Sequence, residues 1–152
     1  MRGIILESWY DAAEDFLDID GNPIHTQPTA HVIKETKYGT FYGRAVACEE
    51  DEDIANSWDG FRFAEMKCDI KASKAKAKLL RERAKGIKHA LDVIAFSDAE
   101  LMFSECFEKL EHQYYVALKE YEKEVEHYTS LEEIYPAYCA QIIKQRREFR
   151  NR

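Results

Sequence analysis

From Phe61 to Phe96 the chain places Phe63, Met66, Ile70, Ser73, Ala77, Leu80, Ala84, Ile87, Leu91 and Ile94 at alternating steps of three and four. That spacing returns side chains to one face of an α-helix and fits no strand, so the stretch predicts a single long amphipathic helix packed along its length. No proline interrupts it, and its one glycine, Gly86, costs about 1 kcal/mol relative to alanine, which a helix this long absorbs. The remaining face is dense in bases: Lys67, Lys71, Lys74, Lys76, Lys78, Arg81, Arg83, Lys85 and Lys88.

A second seam follows after a short link. Ser97-Asp98-Ala99-Glu100 has the form of a capping box, and Phe103, Phe107, Leu110, Tyr114, Ala117, Tyr121, Val125 and Tyr128 continue at helical steps. Two long seams with so short a connection predict an antiparallel helical hairpin. Thr129-Ser130 reads as a turn, and Pro136 as the start of a shorter third helix running to about Arg150. The expected architecture is therefore α+β and one domain over 1–152, with a β-rich part at 1–60 and a helical part at 61–152.

The strands come first. Residues 29–36, TAHVIKET, and 40–48, TFYGRAVAC, predict an antiparallel hairpin joined by Lys37-Tyr38-Gly39. Phe41, Gly43, Ala45 and Ala47 share one face of the second strand, small enough for a helix to lie close against it. Residues 1–28 are ambiguous between a helix face through Ile4, Trp9 and Phe16 and a second hairpin, with Phe16-Leu17-Asp18-Ile19 as a strand and Asp20-Gly21-Asn22-Pro23-Ile24 as a tight turn into the next; the hairpin is the better reading. Asp18-x-Asp20-Gly21 lacks the further oxygen ligands of a calcium loop and reads as a turn.

The net charge of −7 hides alternating blocks. Residues 1–60 hold four bases against thirteen acids, 61–96 ten against four, 97–135 three against eleven, and 136–152 five against one. Opposite blocks on neighbouring helices can pair, which predicts that the basic face of the first helix meets the acids Glu105, Glu108, Glu111, Glu120, Glu122, Glu124 and Glu126 of the second. The acidic run Glu49-Glu50-Asp51-Glu52-Asp53 is expected to stay solvated, with Ser57–Gly60 ending any turn it begins and Asp59 or Gly60 capping the long helix. Trp58 beside that run has the composition of an interface anchor; the competing reading is that it covers the end of the core.

No secretory leader or membrane span is read from the sequence, so the expected location is the cytoplasm of a bacterial host. The four cysteines, Cys48, Cys68, Cys106 and Cys139, never form C-x-x-C pairs and are expected as buried or half-buried free thiols. His25, His31, His89, His112 and His127 lack metal-ligand spacing, and no phosphate loop or nucleophile elbow is present. The reading is of a non-enzyme without metal or cofactor.

The string G-T-F-Y-G-R-A at Gly39–Ala45, the acidic EEDEDIA at Glu49–Ala55 and D-G-F-R-F-A-E-M-K at Asp59–Lys67 resemble small proteins encoded by phages and prophages of Gram-positive bacteria. Many of these look like anti-defence factors of the anti-CRISPR type. The resemblance implies an inert acidic inhibitor that occupies the nucleic-acid channel of a CRISPR-associated or other host nuclease. The charge blocks supply the candidate contacts: Glu49, Glu50, Asp51, Glu52, Asp53, Trp58, Glu120, Glu122, Glu124 and Glu126. Two other classes compete. One is a nucleotide or nucleic-acid binder using Arg44, Lys71, Lys74, Lys78, Arg81 and Lys85; the other is a homo-oligomeric scaffold joined through the helical seams as a coiled coil.

Overall fold

The computed structural model describes residues 2–97 and 99–152, except for the side chain of Ala99. Five strands precede two helices: β1 (Gly3–Asp11), β2 (Glu14–Leu17), β3 (Pro23–Thr26), β4 (Thr29–Thr36), β5 (Gly39–Val46), α1 (Ser57–Ser97) and α2 (Glu105–Arg150). β1, β4 and β5 form an antiparallel sheet with β4 in the centre, and β2 pairs with β3 in a separate hairpin. The β4–β5 hairpin falls where its sequence places it, and Gly39 at its turn has φ +133°, a conformation open to glycine. The hairpin reading of the early residues also holds, with Gly21 at φ +81° in the β2–β3 turn. β1 overturns the alternative helix face through Ile4 and Trp9, and it carries an irregularity between Ile5 and Glu7.

The chain divides into two compact units. One contains residues 1–72 and 130–152, the other residues 73–129. In the first, Ala64, Cys68 and Ala72 of α1 are buried, with Ala64 and Cys68 packed against Val32 and Ala45 of the sheet. Gly43 permits the contact, because a β-carbon there would meet the Ala64 carbonyl oxygen. The half-buried Phe63 packs against the edge of this cluster and also meets Tyr138 of α2 edge-on, with ring centroids 6.1 Å apart. The fully buried positions of α1 in this unit are thus the small residues Ala64, Cys68 and Ala72, while Phe63, Met66 and Ile70 of the larger seam are only half-buried. In the second unit that seam is the buried one: Ser73, Ala77, Ala84 and Leu91 are buried on α1, and Phe107, Ala117 and Glu124 on α2.

Three boundary readings are corrected. α1 begins at Ser57, because Asn56 rather than Asp59 or Gly60 caps it: the Asn56 side-chain oxygen accepts the Asp59 N–H at 2.9 Å. Ser57–Gly60 is thus the first helical turn and not a break. α2 begins at Glu105 after a short 3-10 turn over Ala99–Phe103, and its cap is Ser104, whose hydroxyl oxygen accepts the Phe107 N–H at 3.2 Å. The capping box read at 97–100 includes Asp98, which lies outside the described residues. Finally, there is no third α-helix among the described residues: α2 runs through Thr129, Ser130 and Pro136 to Arg150. The proline removes one backbone donor, a local cost of about 3 kcal/mol. Tyr135, Tyr138, Cys139, Ile142 and Ile143 are all half-buried around it, and their packing outweighs the loss.

No helix among the described residues is long and apolar enough to cross a membrane.

Candidate functional site

The acidic run between β5 and α1 folds as a 3-10 turn over Glu49–Asp51, and most of its charge is tied down. Arg147 of α2 pairs with Asp51, and Arg150 pairs with Asp53. His25 on β3 bridges Asp15 at 2.6 Å and Glu52 at 2.7 Å. Both imidazole nitrogens face carboxylates, an arrangement that favours the doubly protonated ring, and its pKa is raised by Asp15 and then Glu52. The expectation of a fully solvated acidic run is corrected accordingly: acids dense enough to repel one another have recruited cations from β3 and from the end of α2. Glu49 and Glu50 remain exposed without a pairing partner among the described residues. Trp58, in the first turn of α1, is 69 % exposed and does not cover the core.

Behind this loop, in the same unit, lies a cavity of about 240 Å³. Ala45, Ala47, Ala55, Phe63 and Ile143 are among its apolar lining residues, and Asp51, Lys67, Tyr135, Cys139 and Arg146 among its polar ones. Asp59 is buried and receives Arg146 through two bonds, Nε at 2.8 Å and Nη2 at 3.0 Å, and the Asn56 side-chain amide at 2.8 Å. The Arg146 bond, foremost, holds the Asp59 carboxyl below the usual carboxylate range. Burial pushes the Tyr135 hydroxyl and the Cys139 thiol up, the former further through its bond to Cys139. Lys67 donates to the Arg44 carbonyl oxygen at 2.6 Å and lies 5.7 Å from the Tyr135 ring centre. Apart from Asp51, none of these cavity residues was read as functional from sequence, because they come from β5, the loop, α1 and the far end of α2.

On the inner face of the sheet Lys34 is buried yet charged. Burial works against its ammonium group, but bonds to Asp69 at 2.9 Å and Glu65 at 2.8 Å outweigh that and raise its pKa. The outer face carries a ladder of near-parallel rings. Trp9 stacks on His31 with centroids 4.6 Å apart and planes 6° apart, and His31 lies beside Tyr42 at 5.8 Å and 19°. His31 Nε2 donates to Asp11 at 2.8 Å, and its Nδ1 is hydrogen-bonded to the Tyr42 hydroxyl. This acid–imidazole–phenol chain clasps the three strands together. No sequence spacing reveals it, since it depends on cross-strand register.

In the second unit, Glu124 is not an outward contact: it is buried, accepting from Ser73 at 2.5 Å and from Lys76 at 3.0 Å. Burial raises its pKa, and those two partners more than reverse the effect. Glu120, Glu122 and Glu126 are exposed. The predicted pairing of basic α1 with acidic α2 is realised at Lys76–Glu124, whereas Lys85–Glu82, Lys88–Asp92 and Lys109–Glu105 are pairs within one helix. Lys74 sits 5.7 Å from the ring centre of Tyr128, and Lys78 and Arg81 are exposed with no ion-pair partner among the described residues. Of the other proposed anion-binding residues, Arg44 is exposed in the first unit, and Lys71 there donates to the Tyr42 carbonyl oxygen.

The described residues contain no group of three or more His, Cys, Asp or Glu side chains placed to hold a metal ion. The chain matches no protein-family model, no curated protein and no solved structure.

Proposed function

We propose that this is a non-catalytic interaction protein that docks its acidic loop, with Trp58 as the anchor, onto a basic nucleic-acid-binding surface of a host defence nuclease. The exposure of Trp58 carries the reading. A large apolar ring left in water at a helix start, in the segment that directly follows the acidic loop with its exposed Glu49 and Glu50, has the make-up of an anchor with charge in its vicinity along the chain. The arginine and histidine contacts to Asp51, Asp53 and Glu52 support it by holding the loop in shape, which lowers the ordering cost of binding.

The test is affinity capture from cells expressing the tagged chain, with the co-purifying proteins identified. The expected result is a nucleic-acid-processing protein whose capture weakens at raised salt and falls at least tenfold with Trp58→Ala or with Glu49→Lys plus Glu50→Lys. Undiminished capture by both variants overturns the assignment of this surface, and recovery of no such protein overturns the function.

A second reading is supported by one observation. Lys74, Lys78, Arg81, Lys85 and Lys88 follow steps of four and three along α1, and all are exposed. A basic stripe of this kind suits an anionic polymer, and the matching test is a gel shift with single-stranded RNA or DNA at low and high salt.

A further inference from the structure

We propose that the cavity behind the acidic loop is a binding site for a small carboxylate carrying one or two rings, its carboxylate on Lys67 and its ring among the alanines. The cavity borders Asp51 of the acidic loop but involves neither Trp58 nor Glu49 and Glu50, and the proposal goes beyond the function proposed above. The cavity is large enough: about 150 Å³ suffices for benzene in an engineered protein cavity, and this one measures about 240 Å³. Its shape follows from the sequence, because Ala45 and Ala47 at the sheet and Ala55 in the loop stop short of the space that Phe63 and Ile143 border. Such a lining favours an apolar ring, and the two carboxylates that also border the cavity, Asp51 and Asp59, are each already paired with an arginine, Arg147 and Arg146.

The charge of the ligand follows from Lys67. Arg146, the other cation at the cavity, is already committed to Asp59 through two bonds. Lys67 is half-buried and has no carboxylate within ion-pair distance among the described residues; its ammonium group meets only the Arg44 carbonyl oxygen and the face of Tyr135. Burial first, and then the positive charges of Arg44 and Lys71, hold its pKa below the usual lysine range. An anion arriving at this point relieves the repulsion and completes the pairing of the cation.

The probe is 2-naphthoate, titrated into the full chain by calorimetry and by ligand-observed NMR, with uncharged 2-naphthamide as the comparison. Naphthoate is expected to bind at least tenfold more tightly than the amide. Lys67→Met, which keeps the apolar stem, is expected to remove that preference, and Ala47→Leu to abolish binding of both by filling the cavity. Circular dichroism checks that each variant folds; if Ala47→Leu does not, Ile143→Trp closes the cavity from the α2 side. Absence of binding at millimolar naphthoate, an amide that binds as well as the acid, or binding that survives the filled cavity each overturns the proposal. The capture experiment with Trp58 variants is independent of all three outcomes.

Discussion

Gly43 and Ala64 approach so closely that a β-carbon on Gly43 would stand 2.1 Å from the Ala64 carbonyl oxygen and 2.9 Å from the Cys68 sulfur. The first obstacle is helix backbone, which cannot rotate away as a side chain can. Gly43→Ala should therefore force sheet and helix apart and destabilise the chain by about 3 kcal/mol, the upper part of the usual range for overpacking. Urea unfolding measures this, and a loss below 1 kcal/mol would show that the contact is looser than described.

Gly86 is the opposite case. It lies inside α1, and a β-carbon there meets nothing within 4 Å. Gly86→Ala should stabilise by about 1 kcal/mol through helix propensity alone. A fall in the unfolding midpoint would mean that this position serves something other than the helix.

Asp59 joins the cap of α1 to the far end of α2 through Arg146. Asp59→Asn keeps the shape but weakens the charged bonds, and a loss of about 2 kcal/mol is expected, since half-exposed Arg146 can regain water. The folded carboxyl has a depressed pKa, so its stabilisation is full above the unfolded aspartate value and is lost as pH falls through the folded one. Unfolding curves from neutral pH into acid should show this loss in the native chain and a shallower one in the variant.

His25 behaves in the reverse sense. Its folded pKa is raised by Asp15 and Glu52, so its contribution is complete below the ordinary imidazole value and disappears as pH rises through the raised value. An NMR titration of the ring protons should give a midpoint above about 6.5, moving back when Asp15→Asn and Glu52→Gln are combined. A midpoint at the ordinary value in the native chain would contradict the bridge.

The candidate site was legible only in pieces. The acidic run and Trp58 stand out in the sequence because they are contiguous, yet nothing local says that Arg147 and Arg150, nearly a hundred residues on, neutralise Asp51 and Asp53. Glu124 reads as one more exposed acid of a charged helix until Ser73 and Lys76 are found against it. The cavity was invisible, since its alanines look like ordinary strand and loop residues until four segments converge on them.

The sequence by itself determined the local elements. The three-and-four spacing of α1, the alternation of β4 and β5, the glycine at their turn and the small face of β5 each follow from backbone geometry acting over a few residues. Tertiary structure decided the rest. The sheet buried the small residues Ala64 and Cys68 most deeply, packing carried α2 through Pro136, and cross-strand register assembled Trp9, His31 and Tyr42. In each case the deciding free energy comes from contacts between residues distant in the chain, where burial and ion pairing outweigh local preferences such as the turn signal at 129–130 and the helix-breaking tendency of proline.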